Sequence, residues 1–338
     1  MSTIRSLTFG FAALSLGALA FTGPAAALDE VSFGTNWLAE AEHGGFYQAV
    51  ADGTYEKYGL KVTIVQGGPQ SANDALLMAD KIQFYMRGNL LGSFSAVEQD
   101  IPVIDVAAIF QKDPQVLIAH PEFEGTTLAD LAKLPTIFMG KDGFSSYFQW
   151  MKGAFPGFDD AQYRPYTFNP APFLADKQSA QQGYITSEPY AIETEGGIKP
   201  KLFLLADYGF DTPSTMIEAK SDYVAANKDL VQRFVDASII GWYTYLYGDN
   251  TAANDLIKTD NPEMTDGQLA FTLATMKSFG LVVSGIAEEK GIGCFDDAHA
   301  KSFYDKMVAA SVVKADLDYG KIYTNEFVCK GVGMDMKK

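Results

Sequence analysis

The chain has 338 residues, nearly half of them apolar, with a formal charge of −16 and only two cysteines. Length and apolar content are those of one large or two ordinary globular domains with real cores. The acidic balance excludes nucleic acid and anionic membrane surfaces as natural partners, and otherwise speaks only to solubility.

The first segment stands apart. Arg5 precedes an apolar run from Leu7 to Phe21, then Gly23-Pro24 and the small residues Ala25-Ala26-Ala27. This reads as a secretory signal peptide over residues 1–27, cleaved after Ala27. The other reading is a membrane anchor, for which the run is short. No Cys follows the cleavage site, so a lipid anchor is not indicated. The mature part, about 310 residues, is expected to be exported and soluble.

In chain order, Val31–Trp37 reads as a strand and His43–Tyr58 as a helix stopped by Gly59, a natural C′ residue. Leu60–Val65, Ile82–Met86 and Val103–Phe110 read as further strands, separated by short helices at Asn73–Ala79 and Leu90–Glu98. Strands alternating with helices predict a mostly parallel sheet covered on its faces.

Composition changes near Gln111-Lys-Asp-Pro114, and Gln115–Ala119 reads as a strand crossing into a second α/β unit. That unit is predicted to hold strands at Thr136–Met139, Tyr163–Phe168, Gly183–Thr186 and Leu202–Leu205. Its helices are predicted at Thr127–Lys133, from Gly143 to about Gly153, at Pro172–Ala180 and at Pro189–Glu195. Thr215–Ala219 reads as the strand that returns to the first unit. Helices follow at Ser221–Asn227, Lys228–Leu246, Thr251–Lys258, Thr265–Phe279 and Ala298–Ala310, expected to pack on the first unit. The expected organisation is therefore a lobe from 28–114 and 215–338 with a second lobe, 115–214, inserted in it. Ligands in such folds sit at the carboxyl ends of the strands, in the cleft.

The loops at those ends supply the candidates. The first carries Asn36, Trp37, Glu40, Glu42, His43 and Tyr47, and the third carries Arg87 and Asn89. In the second lobe, Lys141-Asp-Gly-Phe144-Ser145-Ser146-Tyr147 opens a helix. Its N–H groups and hydroxyls would suit an anion or a polar ligand edge, or would simply cap the helix. Tyr184 lies in the strand read at Gly183–Thr186, and Glu188 follows the end of that strand, either facing a ligand amino group or complementing a helix dipole. Arg87 could hold an anionic group or pair with an acid of its own lobe. Most aromatics must be core; Trp37, Tyr47, Phe144 and Tyr147 lie on loops where a ring could stack on a flat ligand. None of the three histidines, His43, His120 and His299, has metal-ligand spacing, and there is no nucleophile elbow, zinc motif, phosphate loop or dinucleotide fingerprint. No catalytic residue, metal or cofactor is expected. Cys294 and Cys329 read either as a disulfide that pins the tail or as two buried thiols.

The run Trp37…His43-Gly-Gly-Phe-Tyr47…Gly53-Thr-Tyr55…Gly59-Leu60-x-Val62-x-Ile64…Gly67-Gly68-Pro69, with Ser187-Glu188-Pro189-Tyr190 later, resembles a known family. These are the thiamin-pyrimidine-synthase-like and alkanesulfonate-binding-protein-like solute receptors. The resemblance implies a type II periplasmic binding protein, a monomer that serves an ABC importer and docks on its permease in the inner membrane. It implies no covalent chemistry. The His-Gly-Gly-Phe-Tyr form is most similar to receptors for pyrimidine precursors. That implies a flat aminopyrimidine stacked on aromatics, with a carboxylate on its amino edge; Trp37, Tyr47 and Glu188 would suit those roles. Relatives that take sulfonates, nitrate, riboflavin or aromatic acids set out the alternative ligands. Eukaryotic enzymes of the same fold, which carry a cysteine-rich iron motif, set out an enzymatic alternative; this chain has no such cysteine cluster.

Overall fold

The computed structural model describes residues 27–68 and 71–337. The signal-peptide expectation and Pro69 of the Gly67-Gly68-Pro69 turn lie outside the described residues. Among the described residues, no helix is long and apolar enough to cross a membrane.

Ten strands form two five-stranded sheets. The first contains β1 (Asp29–Gly34), β2 (Leu60–Val65), β3 (Phe84–Asn89), β4 (Val103–Phe110) and β10 (Ser214–Lys220), in the order β2-β1-β3-β10-β4. The second contains β5 (Gln115–Ala119), β6 (Thr136–Met139), β7 (Tyr163–Pro165), β8 (Ser179–Tyr184) and β9 (Lys201–Leu204), in the order β7-β6-β8-β5-β9. β1 runs parallel to β2 and β3, and β6 parallel to β7 and β8. The two strands that start and end the excursion, β5 and β10, each pair antiparallel with both neighbours. The sheets are thus mixed, because the chain reverses direction at each crossing between lobes.

Alternation on β1 puts Val31 and Phe33 inward. Phe33 packs on Phe46 at 4.5 Å, and Phe84 of β3 stacks on Phe234 at 4.1 Å, which locks the long Lys228–Tyr247 helix beneath the sheet. The His-Gly-Gly-Phe-Tyr motif owes its glycines to this packing. A Cβ on Gly44 would lie 2.2 Å from the Tyr245 ring, and one on Gly45 2.2 Å from Trp242. The Gly44–Ala51 helix can therefore approach its partner only with bare backbone at its start.

Several boundaries differ from expectation for local reasons. The helix foreseen over 43–58 breaks into Gly44–Ala51 and Thr54–Lys57, because Gly53 takes φ +72° between them; Gly59, at φ +76°, ends the second piece. The helix foreseen to Ala180 stops at Ala175, and Ser179–Tyr184 is a strand. Its sequence, Ser-Ala-Gln-Gln-Gly-Tyr, lacks the apolar run of a buried strand, yet Gln181 is fully buried and donates to the Tyr166 hydroxyl.

The C-terminal helices do not stay on the first lobe. Gln268 and Thr272 of the Asp266–Ser278 helix both donate to the Thr186 carbonyl, and Phe271 packs on Tyr190. Phe303 of the Asp297–Ala309 helix touches Phe94 of the first lobe and Phe210 of the second. Polar and aromatic residues on the far faces of these helices find partners in the second lobe. Cys294 and Cys329 are joined in a disulfide across 35 residues, tying the tail to the body.

Candidate functional site

The loop after β1 is fixed at both ends by distant side chains. Thr35 donates from Oγ1 to the Trp37 carbonyl at 2.7 Å and accepts from the Gly67 N–H. Asn73 donates to the Thr35 carbonyl, Gln66 accepts from the Ala39 N–H, and Asn261 donates to the Ala39 carbonyl. A residue pinned this way does not have to order itself on binding. Between the pins, Trp37 is half-buried, and its ring meets Phe168 of the second lobe at 4.4 Å. Asn36 beside it is half-buried.

Just beyond lies a group of carboxyls drawn from both lobes: Glu40 and Glu42 from the first, Glu188 from the second. Glu42 Oε1 accepts from Thr186 Oγ1 at 2.5 Å, and Glu188 Oε2 accepts from the Tyr184 N–H at 2.7 Å. Burial pushes all three acids up. Glu40 rises further through the charges of Glu42 and Glu188. For Glu42, the Thr186 hydrogen bond opposes the shift. Glu188 reaches about 7, with the Tyr184 N–H opposing and Glu42 adding. Glu40 and Glu188 lie deep between the lobes yet keep some accessible surface. No lysine or arginine pairs with any of the three among the described residues. Nor does any set of three metal-binding side chains there converge closely enough to hold a metal ion.

The Tyr184 phenol is held protonated by burial, in the field of Asp113, Glu40, Glu42 and Glu188. Asp113, on the crossing between lobes, is itself pushed up to about 7 by burial, against hydrogen bonds from the Gln115 N–H and Asn89. The second lobe adds Gln182, whose Oε1 accepts from the Gly140 N–H and the Tyr147 hydroxyl. Glu42–Thr186 and Trp37–Phe168 bridge the cleft from one lobe to the other.

The candidate residues divide sharply. Asn36, Trp37, Tyr184 and Glu188 are at the cleft. His43 borders it but is fully buried, with neither ring nitrogen hydrogen-bonded; Glu40 Oε1 is 3.5 Å from Nε2, and burial lowers its pKa to about 3, so the imidazole is neutral. Tyr47, expected to stack on ligand, is instead enclosed in the first lobe, its hydroxyl donating to Asp260 at 3.0 Å; the helix that carries it turns the ring inward. Arg87 makes a two-pronged pair with Glu218, 2.8 and 2.6 Å, across β3 and β10. Glu218 is an acid of its own lobe, the partner that one of its two readings expected. Asn89 caps the Leu90–Glu98 helix through the Leu91 N–H and reaches Asp113. Ser145 and Ser146 both donate to the Asp142 carbonyl, and neither hydroxyl caps the Tyr147–Ala154 helix that follows. Phe144 packs on Tyr163, and Tyr147 is buried with its hydroxyl on Gln182. Thr186, Gln182, Asp113 and Phe168 were not foreseen. Thr186 ends the strand expected at Gly183–Thr186; nothing local marks Phe168.

The same architecture occurs in proteins of known structure. The chain overlays the alkanesulfonate-binding protein SsuA from Xanthomonas axonopodis pv. citri bound to MOPS with a TM-score of 0.61, 15% identity, and 89% and 99% of the two chains covered. A Candida albicans product, CA3427, described as having the generic periplasmic binding protein fold, overlays at 0.61 with 14% identity over 89% and 98%. In sequence, the present chain is 25% identical to the riboflavin-binding protein RibY of Chloroflexus aurantiacus, over 90% of its length and 87% of that protein. The fold is therefore that of periplasmic binding proteins. Residues 40–250, more than half of the chain and the stretch that holds the Trp37-following acids, both crossings and Glu188, match the family described as NMT1/THI5 like, and the chain belongs to that family.

Proposed function

We propose that the chain is the exported solute receptor of an ABC importer and that it takes a small, flat nitrogen heteroaromatic bearing an amino group or a positive charge, such as a thiamin pyrimidine precursor. The observation that carries this reading is the meeting of Glu40, Glu42 and Glu188 between the lobes with no lysine or arginine paired with them among the described residues. Three acids brought together in low dielectric cost free energy unless they take up protons or receive donors. A ligand offering N–H groups or positive charge supplies those donors. An anionic ligand would bring negative charge beside carboxyls whose own ionisation burial and mutual repulsion already oppose, and the arginine nearest the strand ends is paired with Glu218. Trp37 supplies a ring face beside the acids.

Function here is reversible enclosure. Lobes close, water leaves, and the closed surface is what a permease would read. An enzymatic role through His43 is disfavoured by its burial, which keeps it from reaching a substrate. A second ligand reading, a flavin, is favoured by the likeness to RibY and by the same flat aromatic face. A thermal-shift panel of aminopyrimidines, riboflavin, alkanesulfonates, nitrate and aromatic acids tests the proposal. Stabilisation by an aminopyrimidine or riboflavin is expected. Stabilisation by sulfonates or nitrate alone would sink the heteroaromatic reading.

A further inference from the structure

Phe168 is an unusual residue for its position. It is 45% exposed, among the most exposed large apolar side chains described, and it takes φ +60°. Among the described non-glycine residues at positive φ, it is the one aromatic. A bulky side chain in the left-handed region is strained, and such strain persists only where the surroundings impose it. The surroundings do so from both sides. The Tyr166 N–H is held by the Met139 carbonyl and its hydroxyl by Gln181; two residues after Phe168, Pro170 precedes a helix whose Ala171 N–H is capped by Asn169. Thr167 and Phe168 are stretched across that short gap.

What the strained backbone does is aim a ring. Phe168 contacts Trp37 of the other lobe at 4.4 Å and Tyr166 of its own at 5.2 Å, and lies above Gly140 at the end of β6. A ring aimed from one lobe onto a tryptophan of the other, beside a group of carboxyls, spans the entrance that a flat ligand would cross. The two rings are tilted by 52° and in contact, so a third ring fits between them only if they part. The Trp37 loop is pinned at both ends and the Phe168 ring is exposed on an anchored backbone, so the ring free to turn aside is that of Phe168.

We propose that Phe168 is the movable jaw of an aromatic clamp, holding a flat ligand against Trp37 and selecting for planar ring systems. The proposal rests on the receptor reading above, and deepens it by naming a positioning residue from the second lobe. Trp150 and Trp242 are buried, so Trp37 is the tryptophan whose emission a ligand at this slot changes; its signal is the part missing in Trp37→Phe.

The test titrates the full mature chain and three variants with 4-amino-2-methylpyrimidine, riboflavin, ethanesulfonate and nitrate, following Trp37 emission. Phe168→Ala removes the ring and keeps the backbone strain; Phe168→Gly removes both; Phe168→Tyr keeps the ring. The flat probe that binds the wild type should quench Trp37. Its affinity should fall about tenfold or more in the Ala and Gly variants alike and stay within about threefold in the Tyr variant. Equal affinity in wild type and Phe168→Ala would overturn the clamp and leave the receptor reading standing. Recovery in Phe168→Gly alone would also overturn it, by placing the effect in the backbone. If the wild type binds only ethanesulfonate or nitrate, or none of the probes, clamp and heteroaromatic reading fall together.

Discussion

The hydroxyl of Thr186 donates to Oε1 of Glu42 at 2.5 Å, and both groups are buried. Thr186 stands on the second lobe and Glu42 on the first, while the Thr186 carbonyl accepts from Gln268 and Thr272. One residue therefore fastens the second lobe to the loop of acids and to a C-terminal helix.

Thr186→Val keeps the side-chain shape and deletes the donor. It leaves a buried carboxyl without its partner, so the closed form should lose about 1–3 kcal/mol. Small-angle scattering should show a larger radius of gyration, and the melting temperature should fall. An unchanged radius and melting temperature would mean that the lobes are held by other contacts.

Glu188 and Asp113 are both raised by burial to about 7, from ordinary values of 4.5 and 3.8. Between the ordinary and raised values, the folded chain binds protons that the unfolded chain has released. The contribution of these two acids to stability must then fall as pH rises through that window, from about 4 to about 7, and level off above it; His43, whose pKa is lowered, opposes it below about 6.5. For Glu188 alone, the loss is about 3 kcal/mol at most. The melting temperature without ligand should be higher at pH 5 than at pH 8, and Glu188→Gln should flatten the slope. A melting temperature that climbs across the same range would contradict the raised acids.

Arg87→Met tests whether the arginine serves structure or ligand. Glu218 is buried, and losing its two-pronged partner should cost about 3–5 kcal/mol. Urea unfolding should register that cost. A stable variant that has lost binding of an anionic ligand would instead place Arg87 in the site.

Gly45→Ala should destabilise by about 1–3 kcal/mol or more, because the added methyl meets the Trp242 ring at 2.2 Å. Ligand preference should be unchanged in the protein that remains folded. Tolerance of alanine here would mean that the two helices are less tightly packed than described.

The fold was largely legible because its strands carry their own signal. Val103–Phe110, Gln115–Ala119 and Thr136–Met139 are apolar runs with clear ends, and each forms the strand foreseen. The strand expected at Gly183–Thr186 lies earlier, at Ser179–Tyr184, because its buried glutamines bond to distant residues and leave no apolar pattern to read. In the site, position in sequence located the loops but not the direction of side chains. Tyr47, Arg87 and Ser146 sit on the foreseen segments, and each is claimed by a partner inside its own lobe: Asp260, Glu218 and the Asp142 carbonyl. The first two partners are 213 and 131 residues away, beyond any local pattern. Phe168 is placed by a strained backbone that only the tertiary anchors on either side create.

The central claim is that buried carboxyls, Glu188 among them, choose the ligand. Titration calorimetry of wild type and Glu188→Gln with 4-amino-2-methylpyrimidine and with ethanesulfonate tests it most directly. The wild type should bind the aminopyrimidine and not the sulfonate, and Glu188→Gln should weaken the aminopyrimidine by about 1.5–3 kcal/mol, the worth of a hydrogen bond to a charged group. Binding of ethanesulfonate by the wild type, with the aminopyrimidine ignored or unaffected by the substitution, would contradict it.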